Sequence, residues 1–385
     1  MSMTALRALI QRIMTEQARY PYFSFSTMLL AGSLLYAGGV RLRALSYSKE
    51  WCPRKRLPCP VVSVGNLTTG GTGKTPMTMH LAQTIQEHGY KAVIISRGYK
   101  GRYNAPALVV GDGQQVLADS HLAGDEPFLM AALGGGIPVV VGRDRFSAGR
   151  YAIERFNPDL LLLDDGFQHL RLHRDLDLLL LDADRPFGNF HLLPRGTLRE
   201  PVKAVLRADA IVLTRSQGAP IYYEPLCRAA WPRPVFLGEH APVLRGILPA
   251  AIPCEGTFSE VRVLAGPERW NSENVMAFSG LARNDLFRRS VCELGFNLLD
   301  TLAFDDHHAY QLPDMKIIFS KAARAGAGML ITTDKDFVRL PKGLRFPLPL
   351  IIVGVSMMVT NGTTDWGEYI ESRLLRMINK RNGTV

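Results

Sequence analysis

Short, unbroken apolar runs recur along the first two thirds of the chain and alternate with amphipathic stretches. Pro60-Val61-Val62-Ser63-Val64 is rich in β-branched residues and ends in Gly65-Asn66, the pattern of a buried strand feeding a turn. Thr78 to His88 reads as a helix that Gly89 closes. Ala92–Ser96, Pro138–Val141, Leu160–Leu163, Leu178–Leu181 and Ala210–Leu213 are further apolar runs, with helical periodicity at Glu126–Leu133 and Ser147–Phe156. Continuous apolar strands separated by helices predict a mostly parallel sheet with helices on both faces.

From about Gln217 to Asn274 the pattern weakens and prolines become frequent, as in a connector. A second α/β pattern follows, with strands at Val275–Phe278, Met329–Thr332 and Leu348–Val353, and helices at Asp285–Leu294 and Met315–Ala325. The expected organisation is therefore an N-terminal segment at 1–45, a larger α/β domain at 46–220, a connector at 221–274 and a smaller α/β domain at 275–385. No internal repeat or low-complexity tract interrupts it.

The N-terminal segment changes the picture. Tyr20 to Val40 carries no charge, a stretch of ~20 residues and just enough to span a bilayer. Serines and glycines dilute it, and cations flank both sides: Arg7, Arg12 and Arg19 before, Arg41, Arg43 and Lys49 after. Cations on both sides fit a helix lying on an anionic membrane surface better than a simple span. A core helix is the other reading. The net charge of +10 agrees with an anionic partner: lipid, nucleic acid or a phosphorylated substrate. No basic stripe interleaved with aromatics argues for nucleic acid. The 5 cysteines show no C-x-x-C spacing, which disfavours a zinc site or a disulfide framework.

The chemistry concentrates at Thr68-Thr69-Gly70-Gly71-Thr72-Gly73-Lys74-Thr75, between a predicted strand and a predicted helix. A glycine-rich turn in that context lets backbone N–H groups close on phosphate oxygens, with Lys74 reaching the terminal phosphates and Thr75 binding magnesium. The common pattern has glycine where this chain has Thr68. Downstream, Leu160-Leu161-Leu162-Leu163-Asp164-Asp165 is an apolar strand ending in acid, which places a carboxylate near the magnesium. Together the two motifs predict a P-loop NTPase-like fold using ATP and Mg2+.

Three further clusters leave alternatives open. Gly124-Asp125-Glu126-Pro127 opens a helix, where Asp125 is a candidate base or simply an N-cap. Asp305-Asp306-His307-His308 offers a metal site, an acid/base pair or an exposed polar turn. Arg195 and Arg199, in Pro194–Pro201, suit an anionic substrate group or a structural loop. His169 follows the second acidic motif directly and would lie near the nucleotide.

Val64-Gly65-Asn66-Leu67 leading into the glycine-rich loop, Ser96-Arg97-Gly98-Tyr99, Gly124–Pro127, Asp164–His169, Pro186-Phe187-Gly188-Asn189, Leu198-Arg199-Glu200-Pro201, Phe278-Ser279-Gly280 and Asp306-His307-His308 together resemble the tetraacyldisaccharide 4'-kinase family. Thr68 belongs to that family's pattern. The resemblance implies ATP- and magnesium-dependent phosphorylation of the 4'-hydroxyl of a tetraacyl glucosamine disaccharide 1-phosphate, at the cytoplasmic face of a bacterial inner membrane, by a peripheral or monotopic enzyme. It implies Asp125 as general base paired with His307, Asp306 supporting His307, Glu126 with Asp164 or Asp165 serving magnesium, and Asn189, Arg195, Arg199 and His169 as possible substrate contacts. The family often has Thr-Glu-Lys-Asp where this chain has Thr333-Asp334-Lys335-Asp336, so that stretch is given no catalytic role. A membrane-associated nucleotide switch or ATPase is the competing expectation. Its signature lysine would fall at position 69, occupied here by Thr69.

Overall fold

In a computed structural model, residues 10, 12–14, 24–216, 223–230, 232–262, 272–281 and 283–382 are described. Arg7, Arg19 and the first four positions of the uncharged N-terminal stretch lie outside them. The strands of the first half are β1 (Val61–Asn66), β2 (Ala92–Ser96), β3 (Leu108–Gly111), β4 (Val139–Val141), β5 (Leu160–Asp164), β6 (Leu176–Asp182) and β7 (Ala210–Thr214). Those that follow are β8 (Val235–Leu248), β9 (Pro253–Cys254), β10 (Asn274–Ser279), β11 (Asn297–Ala303), β12 (Met329–Thr333), β13 (Leu344–Arg345) and β14 (Leu350–Thr360). Twelve of them form one sheet in the order β11-β10-β12-β14-β8-β7-β6-β1-β5-β2-β4-β3, while β9 and β13 make a separate ribbon.

Alternate residues of the central strands feed two cores, because successive side chains point to opposite faces. Val62, Ile94 and Leu162 pack with Met77, Leu81 and Ile85 of the Lys74–Glu87 helix. Val61, Val93 and Leu161 pack with Ala148 and Ala152 of the Arg145–Phe156 helix. Both faces are therefore covered, as the unbroken apolar runs require. The Lys74–Glu87 helix begins four residues ahead of the sequence expectation, at the end of the glycine-rich loop. Pro76 is no obstacle there, since N–H groups in a first helical turn have no intrahelical acceptor to lose.

The stretch expected to be a connector contains the longest strand, the 14-residue β8. Most of its middle residues are half-buried, so neither apolar alternation nor an unbroken apolar run marked it. It runs parallel to β7 through Val235–Gly238 and antiparallel to β14 along its length. β12 pairs with β14 through Leu350–Val353, opposite Leu248–Leu244 of β8. The two parallel half-sheets therefore sit at opposite ends of one β8–β14 ribbon and run in opposite directions. Their carboxyl edges face each other across its middle, Gly238 to Leu244, a span of about 20 Å at ~3.3 Å per residue. The phosphate loop and Asp165 leave the first of those edges and His307 and Lys335 the second, while Asp125 and Glu126 open the Asp125–Leu133 helix between β3 and β4 of the first half.

The Phe25–Ser48 helix lies against the first half. Ser33 donates to the Leu192 carbonyl at 2.8 Å and accepts from the Arg195 N–H at 3.0 Å, and Tyr36 donates to the Arg199 carbonyl at 3.0 Å. Its buried positions are Ser26, Leu29, Ser33 and Ala37, one face of a 3.6-residue repeat. Leu34, Leu35 and Leu42 point outward, with Leu35 80% exposed. The helix is inverted relative to one that packs against a soluble core: two serines face in and leucines face out.

Candidate active site

Gly73 ends β1's glycine-rich loop in the left-handed region, φ 83°, and caps the Lys74–Glu87 helix. A Cβ here would also collide with the His240 ring at 2.2 Å, so only glycine fits. Asn66 braces the loop from inside, its Nδ2 donating to Thr72 Oγ1 at 3.0 Å and to the Gly70 carbonyl at 3.4 Å. The Thr69 N–H donates to the Thr197 carbonyl at 2.7 Å, and Thr68 bridges to Leu198. Lys74 and the largely buried Thr75 open the helix, where N–H groups and the helix dipole favour an anion.

Asp164 ends β5 almost fully buried. One carboxylate oxygen accepts from Ser96 Oγ at 3.2 Å, while Oδ1 has no partner. Burial, reinforced by Glu126 and Asp165, raises its pKa to about 7. Asp165 follows with φ 52° and turns the other way. It sits 3.7 Å from Lys74 Nζ and accepts from Arg199 Nη1 at 2.9 Å. Burial alone would raise Asp165, but those two cations hold it below the usual carboxylate range. The two adjacent acids thus differ: Asp165 is satisfied by cations, and Asp164 presents an orphaned oxygen.

The opposite edge meets this one at Asp125 and Glu126. Gly124, φ 91°, is the N-cap, so Asp125 is the first helical residue and its side chain makes no capping bond. Its carboxylate instead accepts from Arg339 Nε at 2.8 Å and lies 3.6 Å from His307 Nδ1. Arg339 Nη2 reaches the same His307 Nδ1 at 2.9 Å. A guanidinium can only donate, so Nδ1 accepts and the neutral imidazole carries its proton on Nε2. Burial tends to raise the Asp125 pKa; His307 and Arg339 together pull it below its ordinary value. Glu126 accepts from Lys335 Nζ at 2.9 Å, and that ammonium is the main reason its pKa is lowered.

Several expected residues land elsewhere. Asp306 is exposed, and the carboxylate bonded within that turn is Asp314, to His308 at 2.9 Å. Asn189 and Arg195 are buried, and both donate to the Ile13 carbonyl, at 3.2 and 3.4 Å, pinning the N-terminal segment. The His169 ring neighbours Arg145 and Asp144; burial and Arg145 lower its pKa to about 4. Thr333–Asp336, given no role from sequence, supplies the Glu126 partner Lys335 and the buried Asp336, which accepts from the Gly280 N–H at 3.1 Å. Arg339 carried no local signal at all. Among the described residues no three His, Cys, Asp or Glu side chains cluster tightly enough to hold a metal alone.

A model of the tetraacyldisaccharide-1-P 4'-kinase family, LpxK, matches residues 25–375. The chain belongs to this family. The tetraacyldisaccharide 4'-kinase of Syntrophus aciditrophicus is 41% identical over 350 residues, covering 87% of this chain and 90% of the relative. That of Geobacter metallireducens is 42% identical over 320 residues, covering 81% and 88%. The crystal structure of LpxK from Aquifex aeolicus in complex with ATP shares 31% identity and superposes with a TM-score of 0.73 over 92% of this chain and 100% of that one. The match to LpxK extends to the inverted Phe25–Ser48 helix, all of which lies inside the matched range.

Proposed function

We propose that this LpxK family member transfers the γ-phosphate of ATP to the 4'-hydroxyl of a tetraacyl glucosamine disaccharide 1-phosphate at a membrane surface. The observation that carries the reading is the facing of two edges: a phosphate loop and Asp125 on one, and His307 and Arg339, which reach Asp125, on the other. In this reading the acceptor oxygen attacks the γ-phosphorus, the bond to the β-bridging oxygen breaks, and the hydroxyl proton passes to Asp125. Arg339 keeps Asp125 ionised, so it is ready as a base at neutral pH. Arg339 holds the carboxylate with one arm and His307 with the other, and Lys74 meets the charge that develops on the transferred group.

Magnesium fits the donors that are present. Asp164 has a buried oxygen without a partner, and Thr75 opens the loop's helix. Mg2+ commonly takes one or two carboxylates plus phosphate oxygens, so the lack of a three-residue cluster among the described residues is consistent with it. Thr75 and Asp164 would hold the ion, with Glu126 nearby, and bound there it would neutralise charge on the β- and γ-phosphates. Asp165, engaged by Lys74 and Arg199, would set the lysine's position.

We assign the membrane contact to the outward leucines of Phe25–Ser48, among the described residues the one helix long and apolar enough to cross a bilayer. Exposed Arg41 and Arg43 in its last turns would meet anionic headgroups, placing the enzyme peripherally or monotopically on a cytoplasmic leaflet. We also propose a functional division of the chain into a nucleotide lobe at 46–220 and a second lobe at 275–385, joined by the β8–β14 ribbon. The deciding assay is transfer of labelled γ-phosphate to a tetraacyl disaccharide 1-phosphate in detergent micelles. Brisk ATP hydrolysis without a phosphorylated lipid would leave the nucleotide-switch reading standing instead.

A further inference from the structure

Arg215 lies outside every motif and outside the Asp125 cluster, yet it touches the phosphate loop. It follows β7 directly, at the same carboxyl edge from which the loop leaves β1, and its backbone is in the left-handed region at φ 61°. For a non-glycine residue that conformation is uncommon and persists where the surroundings over-determine it. Its guanidinium forks between two acceptors. One arm donates to Asp182 Oδ2, and the other donates to the Gly71 carbonyl. Asp182 is itself fixed, because its Oδ1 accepts from the N–H groups of Asp184 at 3.0 Å and Arg185 at 3.3 Å. The result is a relay from the β6 turn, through a charged fork, to one peptide of the loop.

Fixing that peptide has a direct consequence. In a trans peptide the carbonyl of Gly71 and the N–H of Thr72 point in opposite directions. Holding the carbonyl toward Arg215 therefore fixes the direction of the Thr72 N–H. Asn66 does the same at the neighbouring Gly70 carbonyl and ties down the Thr72 hydroxyl. Glycine at 70 and 71 leaves this backbone otherwise free to rotate. Behind the loop, His240 of β8 and Met357 of β14, paired across the ribbon, close against Gly73. They limit where the loop can retreat.

We propose that Arg215, anchored by Asp182, is a positioning residue that pre-sets the phosphate loop's backbone donors for the nucleoside triphosphate. It spends both arms of the fork on the protein and acts on ATP through Gly71 and Thr72. A lysine would reproduce it poorly, since its three donors rotate on a single nitrogen and lack the rigid planar fork that reaches two separated acceptors. The inference rests on the kinase reading only for its turnover readout; nucleotide binding tests it independently of the acceptor.

The experiment measures the Kd of a non-hydrolysable ATP analogue with Mg2+, without lipid, by calorimetry for the full chain and for Arg215→Ala, Arg215→Lys and Asp182→Ala. KM values for ATP and for the lipid acceptor follow in micelles. The expected result is a Kd and an ATP KM raised roughly tenfold in Arg215→Ala and Arg215→Lys, less in Asp182→Ala, with the lipid KM unchanged. Partial unfolding lowers kcat with the folded fraction and moves neither KM, so it cannot imitate this split. Should Arg215→Ala not fold, Arg215→Lys, which retains charge and bulk, carries the same comparison. Nucleotide affinity equal to the parent's in the folded variants overturns the proposal. So does a parallel rise in both KM values. Failure of the lipid assay alongside a weakened Kd would count against the kinase reading and leave the role of Arg215 intact.

Discussion

The two edges that face each other across the β8–β14 ribbon are built in different ways. On the nucleotide edge most of the groups are consecutive in the chain, from Thr68 to Thr75, and much of the work falls to backbone N–H donors fixed by glycine geometry. Where the other edge meets it, the groups are side chains drawn from far apart. Arg339 reaches Asp125 across 214 positions and Lys335 reaches Glu126 across 209. A site of the first kind is prepared by local folding. One of the second kind exists only while two half-sheets hold their mutual orientation. In the proposed reading, binding falls to the locally built phosphate loop and proton transfer to the assembled junction, which makes the two steps separable by substitution.

The largest effect should come from Asp125→Ala. Removing a general base commonly costs about 10²–10⁴ in rate, while the Kd for ATP, set at the phosphate loop, should stay within about twofold if the two groups act separately. If ATP affinity collapsed together with turnover, Asp125 would belong with the nucleotide or metal ligands, and the division between the edges would fail. Lys74→Ala is the mirror experiment, with turnover down by roughly 10²–10³. It should weaken ATP binding in parallel while Asp125→Ala does not.

A subtler change separates charge from geometry at the assembled edge. Arg339 and His307 hold the Asp125 pKa below its ordinary value against the opposing effect of burial. A base works in its ionised form, so activity is retained above that pKa and lost as pH falls through it. Arg339→Gln removes a cation at 2.8 Å and leaves burial less opposed. The acid limb of kcat/KM should therefore move to higher pH, by about one unit or more. Because His307 Nδ1 no longer receives the guanidinium donor, it becomes free to donate to Asp125 itself. Loss of activity should then be modest on the alkaline side. An acid limb that stays in place would assign Arg339 a purely structural role.

Legibility from sequence follows the same divide. The Thr68–Thr75 loop and the Leu160–Asp165 strand could be read because their function needs particular residues at fixed local spacing. Asp125 and His307 were candidates from the residues, but their pairing came only through resemblance, and the spacing of their turns gave no means to choose between chemistry and a capping or surface role. Lys335 was passed over with its stretch, and Arg339 and Arg215 were invisible, since a lone arginine after a short helix or a strand looks like surface. Strand β8 was missed for a physical reason: as a bridge between half-sheets its middle is half-buried, and periodicity arguments need a buried face. Asn189 and Arg195, expected at the substrate, are both buried and donate to the Ile13 carbonyl of the N-terminal segment, a structural partner that no local pattern announced.

The smallest effect on chemistry, and the most specific one, concerns the Phe25–Ser48 helix. Its inward face carries the bonds from Ser33 and Tyr36, and its outward leucines Leu34, Leu35 and Leu42 are largely exposed. Replacing Leu34 and Leu35 together by Asp leaves Ser26, Leu29, Ser33 and Ala37 in place, so the thermal midpoint should move by only about a few degrees, as for surface substitutions. Flotation with vesicles containing anionic lipid should fall steeply. A buried leucine is worth about 1.5–3 kcal/mol, or roughly tenfold or more in partitioning for each side chain. Raising the salt should weaken the residual binding through Arg41 and Arg43, because headgroup attraction is screened within a Debye length of ~10 Å at 0.1 M. Undiminished flotation of the double variant would move the membrane contact to another face, and with it the direction from which the acceptor hydroxyl approaches Asp125.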